Sequence, residues 1–151
     1  MSTCYLDASA WVKRYFEEPG SAWVDRFWDS GAIIACSTLG LVEVLSVVAR
    51  RRASANADPA GTRELLHEVE ADFAGFHKVH FDDPVLGIAR LLPSKYALRG
   101  ADTIHLASLL RLRGTRQDGI VLVASDEELL KAAVAEGVRT VDPRTAPAGA
   151  K

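Results

Sequence analysis

Short apolar runs rich in strand-forming residues alternate along this chain with longer segments of helical period, and that alternation leaves few folds open. The runs fall near residues 3–7, 32–36, 78–81, 120–124 and 138–142. Each is separated from the next by enough chain for a helical crossover, the connection that parallel strands require. Parallel sheets need helices on both faces. The expected fold is therefore α/β, a mostly parallel central sheet of about five strands flanked by helices in a three-layer sandwich.

The intervening segments carry helix punctuation. A first helix runs from Ser9 to Phe16 and stops at Glu18-Pro19-Gly20, and Ser21 is placed to cap a second ending at Gly31. A third follows Ser37, carries Leu39, Val42, Leu45 and Val48 at helical spacing, and ends at Arg50-Arg51-Arg52, with 53–61 as a loop. Leu65, Leu66, Val69 and Phe73 mark a helix over 62–76, and Asp83-Pro84 opens another that Pro93 interrupts. Gly100 breaks the chain, Asp102 caps or begins a helix through Leu112, and Ser125 with Glu128 forms a capping-box pattern for the last helix, ending at Gly137. Residues 1–142 read as one domain and 143–151 as a flexible tail.

At 151 residues and 48% hydrophobic, the chain is long enough to bury one substantial core. No apolar stretch reaches the length of a membrane span and the amino terminus lacks a secretory layout, so a cytoplasmic location is expected. Cys4 and Cys36 both fall in strand runs without metal-knuckle spacing and read as small buried apolar residues. The net charge of −2 does not advertise nucleic-acid binding, but two bound divalent cations would bring it to +2.

Four acids have suspicious positions. Asp7 closes the run Cys4-Tyr5-Leu6, and Asp126 follows Ile120–Ala124 after one residue. In open α/β sheets ligands bind outside the carboxyl ends of the strands. Asp102 stands at the start of a helix, and Glu43 interrupts an otherwise apolar one, with Gly40 and Ser46 leaving room around it. Taken singly, Asp102 and Asp126 fit ordinary helix caps, and Glu43 fits a solvated stripe with Ser46 and Arg50. Taken together, four clustered carboxylates could not all stay ionised without a cation. Oxygen donors alone favour Mg²⁺ or Mn²⁺, which act on phosphodiesters in pairs about 4 Å apart. His105 reads as a core histidine, and His67, His77 and His80 lack ligand spacing. Ser9 and Ser125 are placed to orient an acid, a water or a phosphate.

Two segments, Tyr5–Ser21 (YLDASAWVKRYFEEPGS) and Leu98–Ala107 (LRGADTIHLA), closely resemble the PIN-domain family and, within it, the VapC-type ribonuclease toxins of toxin–antitoxin pairs. With the Ser125-Asp126-Glu127 turn, the resemblance covers essentially the whole chain in order. It implies a PIN-like, Rossmann-like fold and places the family's acids on Asp7, Glu43, Asp102 and Asp126, with its hydroxyl after the first acid on Ser9. One departure is visible: the family often has Thr or Ser two residues before the fourth acid, where this chain has Ala124, its hydroxyl displaced to Ser125.

The resemblance further implies an endoribonuclease that uses Mg²⁺ or Mn²⁺, leaves a 5′ phosphate and a 3′ hydroxyl, is neutralised by a cognate antitoxin, and forms a homodimer. Lys13, Arg14 and Arg99 are the candidates for RNA phosphate contacts. The aromatic residues concentrated in the first two helices, among them Trp11, Tyr15, Trp23 and Phe27, predict an apolar groove for the antitoxin. Rival readings are a PIN nuclease of RNA processing without an antitoxin, a catalytically degenerate PIN binding module, and a phospho-accepting regulatory domain. Against the last, no DxDGT-like motif follows the first strand.

Overall fold

The computed structural model describes residues 3–147. Its elements run β1 (Thr3–Leu6), α1 (Ala8–Trp11), a 3₁₀ turn (Val12–Arg14), α2 (Ser21–Asp29), β2 (Ile33–Ser37), α3 (Thr38–Ser54), α4 (Pro59–Ala74), β3 (His77–Val79), α5 (Asp83–Ala89), a second 3₁₀ turn (Leu92–Ser94), α6 (Gly100–Gly114), β4 (Ile120–Val123), α7 (Glu127–Ala135) and β5 (Arg139–Val141). The five strands form one sheet in the order β3-β2-β1-β4-β5, and every pairing is parallel. The expected α/β sandwich is what the chain forms. Among the described residues, no helix is long and apolar enough to cross a membrane.

β1 is the middle strand and is buried along its whole length. Its side chains alternate between faces with the period of two that a strand imposes. Tyr5 joins Ala35, Leu106, Leu109, Leu122 and Leu129 in one core. Cys4 and Leu6 join Trp11, Val44, Val48, Val69 and Phe73 in the other. Thus α5, α6 and α7 cover one face and α1 to α4 the other. Both cysteines are buried and free, as expected. The strand order reverses direction at β1, with β2 on one side and β4 on the other. That places the switch-point crevice at the carboxyl ends of β1 and β4.

Several boundaries differ from the expected ones for local physical reasons. Gly20, not Ser21, caps α2: it holds φ +98°, and a Cβ there would lie 3.0 Å from Pro143. The Ser21 hydroxyl instead donates to the Phe16 carbonyl at 2.8 Å and accepts the Glu18 amide at 3.0 Å. α3 continues past its arginines to Ser54, and α4 starts early because Asp58 caps it and Pro59 suits its first turn. Gly100 does not break the chain but begins α6; Arg99 is the cap and Asp102 lies in the first turn. The last helix is capped by Asp126 rather than Ser125.

The segment expected to fray is ordered at its start. Pro143 is buried, and the amides of Thr145 and Ala146 bond back to the Asp142 carbonyl at 3.1 and 2.9 Å. The remainder of that expected tail, 148–151, lies outside the described residues.

Candidate active site

The four acids arrive at one edge of the sheet on four different elements. Asp7 caps α1 and is tied into the sheet by its own amide, which donates to the Val123 carbonyl at 3.0 Å. Asp126 caps α7, its Oδ1 accepting the Leu129 amide at 2.8 Å. Asp102 sits in the first turn of α6, where the helix dipole favours a carboxylate. Glu43 projects from α3, which packs against α6.

Each cap uses one oxygen for its helix and turns the other toward a basic side chain. Asp7 Oδ2 accepts both the Ser9 amide, at 3.1 Å, and the Ser9 hydroxyl, at 2.5 Å, while Oδ1 lies 3.5 Å from His105 Nε2. Asp126 uses Oδ1 for its helix and turns Oδ2 toward Arg99, 3.9 Å away. Arg99 also approaches Asp102 Oδ2 at 3.6 Å. The readings as cap and as site residue are therefore compatible at both strand ends.

Asp102 feels two of the other acids. Burial, then the charges of Asp126 and Asp7, raise the Asp102 pKa above its ordinary value, and Arg99 offsets only part of this. His105 is 1% exposed and lies against both Glu43 Oε1 and Asp7. Burial disfavours its charged form, but Asp7 and Glu43 prevail and raise its pKa above the usual imidazole value. Glu43 is thus not part of a solvated stripe with Ser46 and Arg50.

Ser9 joins the two strand ends: its hydroxyl donates to Asp7 and accepts the Ser125 amide at 2.9 Å. Ser125 meets this network through its backbone only. Its hydroxyl donates to Asp142 Oδ1 at 3.1 Å, and Asp142 is clasped in turn by Arg144 at 2.7 Å. The displaced hydroxyl therefore touches none of the four acids.

The three candidate cations separate. Lys13 is 6% exposed and ion-paired with Glu18 at 2.9 Å, which removes it from any surface that RNA would meet. Arg14 pairs with Asp25 at 3.1 Å and lies over the Trp28 ring. Arg99, 86% exposed, stands over the acids.

Among the described residues, no three His, Cys, Asp or Glu side chains converge as they stand into a group that could hold a metal ion. Mg²⁺ does not require one, since it keeps several waters and takes one or two carboxylates directly. Oxygen-only donors suit a hard cation, whose charge would offset both the burial and the repulsion that raise the Asp102 pKa.

Sequence reasoning missed His105 and Asp142 as members of this neighbourhood. His105 lies three residues after Asp102 on one helix, a spacing that puts both on one face. Asp142 directly follows β5, the same strand-end position that singled out Asp7.

Comparison with known proteins bears on the family and the fold. The PIN domain model matches residues 4–135. The chain belongs to the PIN-domain family. It is 33% identical over 151 residues to Ribonuclease VapC49 of Mycobacterium tuberculosis, an alignment covering 97% of this chain and 100% of that one. Among solved structures it resembles a toxin–antitoxin complex from Klebsiella pneumoniae (TM-score 0.66, 14% identity, 93% and 97% of the two chains). It also resembles VapC20 of M. tuberculosis, described as a sarcin–ricin loop cleaving toxin (TM-score 0.65, 15% identity, 85% and 94%). At such identities the structural likeness speaks for the PIN fold, and the VapC relationship rests on the full-length sequence match.

The aromatic segment is only partly available to a partner. Trp11 is fully buried, stacked on Phe73 with centroids 5.9 Å apart, so it is core and not groove. The Tyr15 hydroxyl accepts the Trp11 indole N–H at 2.8 Å and donates to Asp72 at 2.7 Å, pinning the first helical segment to α4. Trp23 and Phe27 stack on each other at 5.3 Å on α2 and are half-buried.

Proposed function

We propose that this PIN domain is a VapC-type toxin: an endoribonuclease that depends on Mg²⁺ or Mn²⁺ and is restrained by a cognate antitoxin. The observation that carries the reading is the convergence of Asp7, Glu43, Asp102 and Asp126 on the crevice at the ends of β1 and β4, the place where this topology binds ligands. The full-length match to a protein named as a ribonuclease gives the substrate class.

In this reading Asp7, Glu43, Asp102 and Asp126 hold the cation, directly or through water. Once bound, it supplies an activated water and positive charge against the phosphodiester, the requirements of an in-line hydrolysis leaving a 5′ phosphate and a 3′ hydroxyl. Ser9 keeps Asp7 in the orientation its helix cap dictates. Arg99 is held to Asp102 and Asp126 only loosely, at 3.6 and 3.9 Å, so it is free to exchange those contacts for an RNA phosphate. Lys13 and Arg14 are engaged with Glu18 and Asp25 and are set aside for this role.

The antitoxin contact is narrowed to the stacked Trp23–Phe27 pair on α2, with Trp11 withdrawn into the core. A homodimer and a cytoplasmic location complete the proposal. The test is cleavage of an end-labelled RNA by the wild type and by Asp7→Asn and Asp102→Asn. The wild type should cut and both variants should not; full activity in both would reject the acids as the catalytic centre.

A further inference from the structure

The ring of His105 is held from both sides by groups whose own partners are fixed. Tyr5 is fully buried, and its hydroxyl accepts the Ser37 amide at 3.1 Å while lying 2.8 Å from His105 Nδ1. Across the ring, Nε2 bonds Glu43 Oε1 and lies 3.5 Å from Asp7 Oδ1. Flipping the ring would set carbon atoms against the Tyr5 hydroxyl and the carboxylates, so one orientation is enforced.

That orientation decides where the proton lies. The imidazolium carries hydrogen on both nitrogens, and the neutral ring that accepts from Tyr5 carries it on Nε2. The other neutral tautomer would aim a lone pair at two carboxylates. In both favoured states Nε2 therefore donates to Glu43.

A glycine lets the helix that carries Glu43 lie close to β2 beside this ring. Gly40 lies one turn before Glu43 on α3, and a Cβ there would run into the Cys36 sulfur and stand 3.4 Å from His105 Cε1. Glycine inside a helix costs roughly 0.5–1 kcal/mol relative to alanine. Here it permits the close approach of α3 to Cys36 on β2, one turn before Glu43. Glu43 remains 29% exposed on its side chain, so water could have satisfied it; hydration alone does not require the histidine.

We propose that His105 is a positioning residue for Glu43, with Tyr5 setting the ring: the imidazole fixes Oε1 and leaves Oε2 available to a cation. The inference rests on the reading of Glu43 as a cation ligand. Partners of this kind, which orient a ligand without touching the ion, typically change metal affinity by about 10–100-fold when removed.

The experiment measures Mn²⁺ affinity by electron paramagnetic resonance on the full chain, for the wild type and for His105→Leu, His105→Gln and Tyr5→Phe. Affinity should fall by about 10–100-fold in His105→Leu. It should fall less in Tyr5→Phe, and recover in part in His105→Gln, whose amide N–H can reach the same carboxylate. Wild-type affinity in a folded His105→Leu protein overturns the positioning role while leaving the cation site intact. Failure of the wild type to bind Mn²⁺ removes the cation site itself, and the positioning role with it. A variant-free readout guards against misfolding: ¹⁵N NMR of the metal-free wild type should place hydrogen on His105 Nε2, and a bare Nε2 overturns the proposal.

Discussion

The Ser9 hydroxyl accepts the Ser125 amide at 2.9 Å and thereby latches the end of β1 to the turn after β4. The same oxygen donates to Asp7 at 2.5 Å, so one atom sets both the spacing of the two strand ends and the direction of a carboxylate. Ser9→Ala leaves the Ser125 N–H and Asp7 Oδ2 each short of one partner. Lost partners of this kind cost about 1–3 kcal/mol. The urea midpoint should fall accordingly, and RNA cleavage should fall with it because Asp7 is no longer held.

Asp102 should trade stability against function. Its pKa is raised, so the ionised carboxylate is disfavoured by the fold: its contribution to stability is best below the unfolded pKa and declines as pH rises through the folded value. Asp102→Asn removes that penalty. In metal-free buffer at neutral pH the variant should melt above the wild type, with the gap closing toward pH 3. Added Mg²⁺ should raise the wild-type melting temperature and leave the variant's unchanged.

Glu18 gives the opposite sign. Burial works against its charge, but hydrogen bonds from Lys13 and Arg51 outweigh this and lower its pKa. Its contribution is therefore full above the unfolded value of about 4.3 and is lost as pH falls through the folded one. Denaturation of Glu18→Gln should show a deficit at neutral pH that shrinks in acid. A deficit that is constant with pH would mean the ion pairs are not its source.

Gly40→Ala tests whether close packing outweighs propensity. Alanine would gain up to about 1 kcal/mol in helix propensity. Overpacking against the Cys36 sulfur costs about 1–3 kcal/mol. The clash should win, lowering the thermal midpoint and displacing Glu43 enough to reduce cleavage.

Trp11 and Trp23 should separate core from surface. Trp11→Ala removes a fully buried ring that stacks on Phe73 and packs at a tilt against Phe76, and should cost about 3–5 kcal/mol. Trp23→Ala removes a half-buried ring and should cost clearly less, as chemical denaturation of the two variants will show.

The strands and the strand-end positions of Asp7 and Asp126 were legible because burial and the ends of apolar runs leave a one-dimensional trace. Runs such as Ile120–Val123 are apolar on both faces, and Asp7 and Asp126 directly follow or nearly follow them. The ring partners of His105 were not legible, since Tyr5 lies 100 residues away and Glu43 lies 62. Such pairings depend on which helices cross, information that periodicity does not carry. Lys13 misled for a related reason: a basic residue beside the site reads as surface until Glu18 folds back over it. Trp11 likewise looked like groove until α4 brought Phe73 against it.

The central claim, that this acid cluster cleaves RNA through a divalent cation, is tested most directly by stripping the protein with chelator and titrating Mg²⁺ or Mn²⁺ back while following cleavage of one labelled RNA. Activity should vanish on stripping, return with either ion, and yield products with 5′ phosphates. Cleavage that persists unchanged in the stripped protein would contradict the account.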